Sequence, residues 1–127
     1  MTHPTDVDLQ LPSVSDDEMA QARAGARGYT IAILKRGPAY SPPHSDAIIL
    51  AHARRNFRLR AAGLLVIVCP ISDGTEVAGI GIFDADTEAV ERIMRGDPAI
   101  QANVLTWETH PAFSFPGDAL PPRLGLT

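Results

Sequence analysis

The chain has 127 residues, a length at which a single hydrophobic core is the commonest outcome. Its composition is 45% hydrophobic and 20% charged, which is typical of a globular protein and excludes disorder over most of the chain. Eleven basic residues against fifteen acidic ones give a net charge of -4 at pH 7. The chain therefore lacks the excess of basic residues that nucleic-acid binding requires.

The single cysteine, Cys69, lies in an apolar run and cannot form an internal disulfide, so we expect a buried thiol in a reducing compartment. The N-terminus lacks the basic and apolar segments of a secretory signal. No apolar stretch approaches the eighteen or so residues that span a bilayer. These features predict a cytoplasmic protein that does not interact with membranes.

Residues 1–28 form an acidic arm. Its first eighteen positions contain five acidic residues and no basic one, so the rest of the chain is nearly balanced in charge. Ser15 followed by Glu18 has the form of a capping box. We therefore expect a short helix from Asp16 to about Arg23.

Residues 29–111 alternate between strand and helix patterns, and residues 112–127 form a proline-rich tail. Glycine and proline mark the ends of most elements, and Ser45 or Asp46 can cap the longest helix. The predicted elements, in chain order, are a strand from Tyr29 to Arg36, a helix from Ala47 to Ala62, a strand from Leu64 to Ile71 that is buried on both faces, a strand from Val77 to Phe83, a helix from Thr87 to Met94, a short turn at Asp97-Pro98 and a strand from Val104 to His110.

This order, β, α, β, β, α, β, predicts an α+β ferredoxin-like sandwich of four antiparallel strands with two helices on one face. In the first strand Ile31 and Ile33 alternate with Ala32 and Leu34, so both faces of the sheet are apolar. Because two helices cover only one face, we expect a second copy of the chain to cover the other in a symmetric homodimer. The alternative is that the proline-rich tail folds back over that face.

His52 is the most informative polar residue of the long helix. At about 100° per residue it lies on the inward side together with Asn56, which suggests a small polar cavity. An inward histidine is nevertheless more often a hydrogen-bonded core residue than a catalyst. The arginines at positions 54, 55 and 58 are predicted to point away from His52, as a solvated basic stripe.

Asp97 is the second candidate. It can cap the turn that Pro98 begins, which explains the dipeptide structurally. The functional alternative places its carboxylate beside His52. Asn56 and His110 are the candidate substrate-binding residues. No histidine pair has metal-ligand spacing and one cysteine argues against a structural zinc site, so we expect no metal or other cofactor.

An inward histidine on the first helix of a βαββαβ unit, a glycine closing that helix, a hairpin and Asp-Pro before the last strand resemble the YCII-related (YciI-like) proteins of the dimeric α+β barrel superfamily. The resemblance covers Tyr29 to Pro111. It implies a homodimer whose sheets pack face to face, with a cleft between sheet and helices and an active site formed by His52 and Asp97. One branch of this family dehydrochlorinates a chlorinated hydroxyhydroquinone, and related barrels isomerise lactones or oxygenate aromatics without a metal or bound organic cofactor. The long proline-rich loop from Gly37 to Asp46 departs from the family pattern.

A carboxylate beside an imidazole can hold it as a general base near neutral pH. We therefore expect a cofactor-independent enzyme of lyase, dehydrochlorinase or isomerase type that acts on a small cyclic or aromatic compound, with His52 as base and Asp97 as its orienting partner. The rival hypothesis is a noncatalytic module of the same fold that binds a small ligand or another protein. A third is an accessory domain beside a larger enzyme.

Overall fold

The computed structural model describes residues 9–122. One compact unit is the stretch Gly28–Ser114, and the segments on either side of it form the other. The elements, in chain order, are α1 Asp16–Ala24, β1 Arg27–Arg36, α2 Asp46–Ala61, β2 Leu65–Pro70, β3 Val77–Phe83, α3 Thr87–Arg95, α4 Pro98–Gln101 and β4 Leu105–Ser114. Between residues 9 and 122, no helix combines the length and apolar character that a membrane span needs.

Helix α1, in the segment before Gly28, begins with the predicted capping box. The Ser15 hydroxyl accepts a hydrogen bond from the Glu18 N–H at 3.1 Å, and the Glu18 carboxylate accepts one from the Ser15 N–H at 3.3 Å. Two backbone N–H groups that the helix itself leaves without partners are thereby satisfied. The predicted helix is confirmed, with its end at Ala24 instead of Arg23.

The four strands form a single antiparallel sheet in the order β2-β3-β1-β4, which confirms the α+β, ferredoxin-like fold. Ala32 of β1 lies opposite Gly81 of β3, and Val68 of β2 lies opposite the same glycine. Directly opposite residues share a face of a sheet. These three positions therefore lie on one face, which helices α2, α3 and α4 cover.

The core of the Gly28–Ser114 unit lies between this face and the helices. Its buried side chains come from all four strands, from α3 and α4, and from the residue before β4. They are Ala32, Leu34, Leu65, Phe83, Val90, Met94, Ala99, Val104 and Leu105. Helix α2 packs against β2 and α4, whereas α3 packs against β4, so the two long helices lie side by side above the sheet with α4 in contact with both.

The opposite face of the sheet, which we call the open face, is rich in isoleucine. Alternation along the strands and the strand register assign the following residues to it: Ile31, Ile33, Ile67, Cys69, Ile80, Ile82, Thr106, Glu108 and His110. The five isoleucines are half-buried. None of the helices α2, α3 and α4 packs on this face, as expected from the sequence.

Strands β2 and β4 are the two edges of the sheet, and each contains a proline. Pro70 ends β2 and Pro111 lies inside β4, which is possible because an edge strand has N–H groups that need no partner in the sheet. The sequence prediction ended the last strand at His110, but β4 continues through Pro111 to Ser114. The buried thiol predicted for Cys69 was wrong: the residue is exposed, since it lies near the end of an edge strand on the open face.

The end of β1 is held against the start of β4 by an unusually close backbone approach. The Gly37 N–H donates to the Val104 carbonyl at 2.8 Å. A Cβ atom on Gly37 would lie 2.4 Å from the Asn103 carbonyl oxygen, so only glycine fits this position. Because α4 immediately precedes Asn103, this contact also fixes α4, and the aspartate that begins it, above the sheet.

Candidate active site

Helix α2 carries His52, Arg55 and Asn56, which are three of the four side chains in the candidate site; the fourth is Asp97. Ser45 occupies its N-cap position, but the hydroxyl accepts a hydrogen bond from the Ser41 N–H at 3.1 Å and makes no cap bond to the helix. Ser45 is thus used to close the preceding turn. Gly63, with φ at 78°, follows the helix end in the left-handed conformation expected of a closing glycine. The helix directs His52 towards α4, against which it packs.

Asp97 is the N-cap of α4, with Pro98 in the first helical position as predicted. Its Oδ1 atom accepts a hydrogen bond from the Ala99 N–H at 2.8 Å. Its Oδ2 atom lies 2.6 Å from His52 Nδ1. The side chain of Asp97 is 1% exposed and that of His52 is 12% exposed. The Asp97 carboxylate therefore fits both interpretations made from the sequence, because Oδ1 caps helix α4 and Oδ2 contacts the His52 imidazole.

The environment of Asp97 keeps it ionised. Burial alone would raise the pKa of this carboxyl. The hydrogen bond and charge of His52, the N–H of Ala99 and the guanidinium of Arg55 together outweigh burial and lower the pKa below its ordinary value of 3.8. An ionised carboxylate can only accept hydrogen bonds, so the proton in the 2.6 Å contact belongs to His52 Nδ1.

The second nitrogen of the ring is bonded to Asn56, one helical turn later. Asn56 Nδ2 lies 3.2 Å from His52 Nε2. An amide nitrogen is only a donor, so with the amide in this orientation Nε2 is the acceptor. Rotation of the amide by half a turn would present its oxygen to Nε2 instead. Asn56 can therefore serve either protonation state of the ring.

Arg55 is the site residue that sequence reasoning missed, and the prediction that it points away from His52 was wrong. Its Nη1 atom lies 3.8 Å from Asp97 Oδ2, and the side chain is only 25% exposed. At 100° per residue, Arg55 is 60° from the direction of His52, on the boundary of the inward side. Its long side chain can cross that boundary. The spacing of three residues after His52 was the available indication.

His110 is not brought into this site. It follows Thr106 and Glu108 on the open face, whereas Trp107 and Thr109 of the same strand donate hydrogen bonds to Glu91 of α3 on the covered face. Because alternate residues of a strand point to opposite faces, the sheet separates His110 from His52, and the two predicted substrate-binding residues do not share a site.

The partner of His110 is the neighbouring acidic residue on its own strand. His110 Nε2 lies 2.7 Å from Glu108 Oε2, and Lys35 Nζ lies 3.3 Å from Glu108 Oε1. The hydrogen bonds from His110 and Lys35 lower the pKa of Glu108. This ion-pair cluster lies beside the isoleucines of the open face.

A separate cleft of about 380 Å³ lies at the other end of the sheet. It is formed by the start of β1, the connection between β3 and α3, and the end of β4. Its lining residues are Gly28, Tyr29, Thr30, Asp84, Ala85, Asp86, Thr87, Pro111 and Ala112. Neither His52 nor Asp97 is among them, so this cleft is not the space in which the pair would meet a ligand.

The cluster therefore combines the imidazole of His52 with a carboxylate, an amide and a guanidinium, from Asp97, Asn56 and Arg55, and an imidazole paired with a carboxylate is a combination used in general acid–base chemistry. Within residues 9–122, no group of three or more His, Cys, Asp or Glu side chains could hold a metal ion, and His3 lies outside the described residues.

No protein-family model and no curated protein matches the chain.

Proposed function

We propose that this protein is a small enzyme that uses His52 as a general base and Asp97 as its orienting partner. The contact of 2.6 Å between Nδ1 and Oδ2 is the observation that carries the proposal. A buried carboxylate on one imidazole nitrogen fixes the tautomer and ring orientation, and it stabilises the positive charge that forms when the other nitrogen takes a proton. The reaction class that fits is proton abstraction from an acidic O–H or C–H group.

The substrate in this proposal is a small cyclic or aromatic compound, and the overall reaction is an elimination or isomerisation of lyase, dehydrochlorinase or isomerase type. The substrate would displace the Asn56 amide from Nε2 and give its proton to that nitrogen. The Asn56 amide, whose Nδ2 atom lies 3.2 Å from Nε2 before the substrate binds, is then free to donate a hydrogen bond to the oxygen anion that remains. The resemblance to YCII-related proteins supports this choice of compounds.

A noncatalytic role is the second candidate, and one observation favours it. Both nitrogens of the His52 ring are hydrogen-bonded within the protein, to Asp97 and Asn56, and the ring is 12% exposed. A histidine with these properties also fits a structural role, in which the module binds a small ligand or another protein without reaction. The two candidates differ in whether Nε2 exchanges its proton with a bound compound.

The test is a screen of lactones and chlorinated hydroquinones in D₂O, with proton loss and product formation followed by NMR. His52→Gln removes the base, and His44→Gln, in the exposed loop before α2, is the matched control. We expect His52→Gln to lower turnover at least about 100-fold and His44→Gln to leave it unchanged. Turnover by His52→Gln at the rate of the unmodified protein would refute the proposal. Saturable binding of a panel compound with no reaction would favour the noncatalytic module.

We also propose that the protein is a cytoplasmic homodimer whose open faces pack against each other. The half-buried isoleucines of that face support the dimer, because a wet apolar sheet face is unfavourable. Ile33, Ile80 and Ile82 would lie in its centre, and Lys35 and Glu108 at its polar rim. The dimer is independent of the catalytic proposal, because the sheet separates the two faces.

A further inference from the structure

Arg55 is buried in an unusual way for an arginine on a helix surface. Its Nη1 atom is inaccessible to solvent and makes no hydrogen bond to any residue in the range 9–122. Its neighbours Arg54 and Arg58 on the same helix are exposed. Burying a guanidinium nitrogen without a hydrogen bond is unfavourable, so a nearby negative charge must offset that cost. The charge within reach is the Asp97 carboxylate, at 3.8 Å.

Gly96, the residue before Asp97, leaves space for the Arg55 guanidinium because it has no side chain. A Cβ atom on Gly96 would lie 2.8 Å from Arg55 Nη2. Gly96 has φ of -84°, which any residue adopts, so its backbone conformation does not require glycine. The absence of a side chain instead lets Arg55 lie against the backbone next to Asp97.

We propose that Arg55 is a positioning residue that partly balances the charge of Asp97 and thereby favours the unprotonated His52 ring that a general base requires. Without the guanidinium, the full negative charge of the carboxylate would act on the imidazole and stabilise the protonated ring as its counter-ion. A protonated ring cannot act as a base. The effect of Arg55 on the protonation of His52 does not depend on catalysis, but its importance for catalysis rests on the proposed function.

The other elements packed against α2 bring few competing charges to His52. Helix α4 contains no titratable side chain between Pro98 and Gln101, and β2 contains only the exposed thiol of Cys69. On α3, which packs against α4, Arg92 is paired with Glu88 and Arg95 with Glu91. Within the described residues, Asp97 is therefore the charged group bonded to His52, Arg55 is the charged group beside that carboxylate, and Asn56 on Nε2 is neutral.

The experiment is an NMR titration of the histidine Cε1–H resonances in the full chain, with His52 assigned by its loss in His52→Gln. Arg55→Met removes the charge and keeps much of the side-chain volume. We expect it to raise the pH midpoint of the His52 resonance by about one unit. Arg55→Lys, which restores a positive charge, should recover at least half of that shift. Arg54→Met is the matched control from the exposed side of α2, and it should move the midpoint by less than about 0.2 units.

Two results would overturn the proposal. One is a midpoint in Arg55→Met within about 0.2 units of the unmodified protein or below it. The other is an equal shift in Arg54→Met, which would show that only the overall charge of the helix matters. If Arg55→Met does not fold, Gly96→Ala replaces it, because its Cβ displaces the guanidinium without removing the charge; it should raise the midpoint, and an unchanged midpoint would count against the proposal.

Failure of the catalytic proposal would give a different result. Full activity in His52→Gln, together with the expected shift in Arg55→Met, would remove the function and leave the role of Arg55 intact. Activity that depends on His52, together with no shift in Arg55→Met, would remove the role of Arg55 alone.

Discussion

Replacing Asp97 by asparagine should destabilise the protein far more than the loss of a helix cap explains. Asparagine is as good an N-cap as aspartate, so the bond from the Ala99 N–H to the side-chain oxygen at 2.8 Å can be kept. The amide then presents its NH₂ group to His52 Nδ1, so the 2.6 Å bond to a carboxylate is lost, and a neutral bond can replace it only if the ring hydrogen moves from Nδ1 to Nε2. The buried Nη1 atom of Arg55 also loses its counter-charge.

The expected magnitude follows from these two losses. A hydrogen bond to a charged group contributes about 1.5–3 kcal/mol, and a buried polar group left without a partner adds a comparable cost. Asp97→Asn should therefore lower the free energy of unfolding by about 2–4 kcal/mol at pH 7. The matched control is Asp86→Asn, because Asp86 caps α3 through the Ala89 N–H at 2.8 Å but is exposed. Its cost should stay below about 0.5 kcal/mol.

The assay is urea denaturation followed by Trp107 fluorescence, at one protein concentration, over a range of pH. The pKa of Asp97 is lowered in the folded protein from 3.8, so the carboxylate stabilises the fold above that pH and the contribution is lost as the pH falls through the folded value. The difference between the unmodified protein and Asp97→Asn should therefore narrow below about pH 4. Equal costs for Asp97→Asn and Asp86→Asn at pH 7 would refute the reasoning.

Three further predictions concern the sheet. Gly37→Ala should lower the free energy of unfolding in urea by about 1–3 kcal/mol, because its Cβ would lie 2.4 Å from the Asn103 carbonyl oxygen. Gly28→Ala, whose Cβ would lie 3.9 Å from the nearest atom, should leave that free energy nearly unchanged. Similar losses for the two variants would contradict the close approach at Gly37. Ile82→Glu should convert the proposed homodimer to a monomer in sedimentation experiments at micromolar concentration, and an unchanged molecular mass would contradict an interface through the open face. Cys69 should react with a thiol reagent without denaturant, and the reaction should slow as the protein concentration rises into the range where the proposed dimer forms; a rate independent of concentration would count against a dimer through the open face.

Much of the local structure could be predicted because short-range patterns control it. The pair Ser15 and Glu18 predicts its helix through hydrogen bonds that span three residues. Asp97-Pro98 likewise predicts a helix start from neighbouring backbone groups. Prediction failed where the position of a strand in the sheet mattered. Pro111 and Cys69 could be placed correctly only once β4 and β2 were known to be edge strands.

Helical periodicity by itself determined that His52 and Asn56 lie on the same inward side of a helix, since both belong to one element with a fixed 100° step. Only the tertiary structure decided that Asp97, 45 residues further along the chain, meets the ring. It also decided that Arg55 reaches the same carboxylate and that His110 lies beyond the sheet. Those contacts depend on how α4 packs against α2 and on the close approach at Gly37, and neither is encoded in the spacing of neighbouring residues.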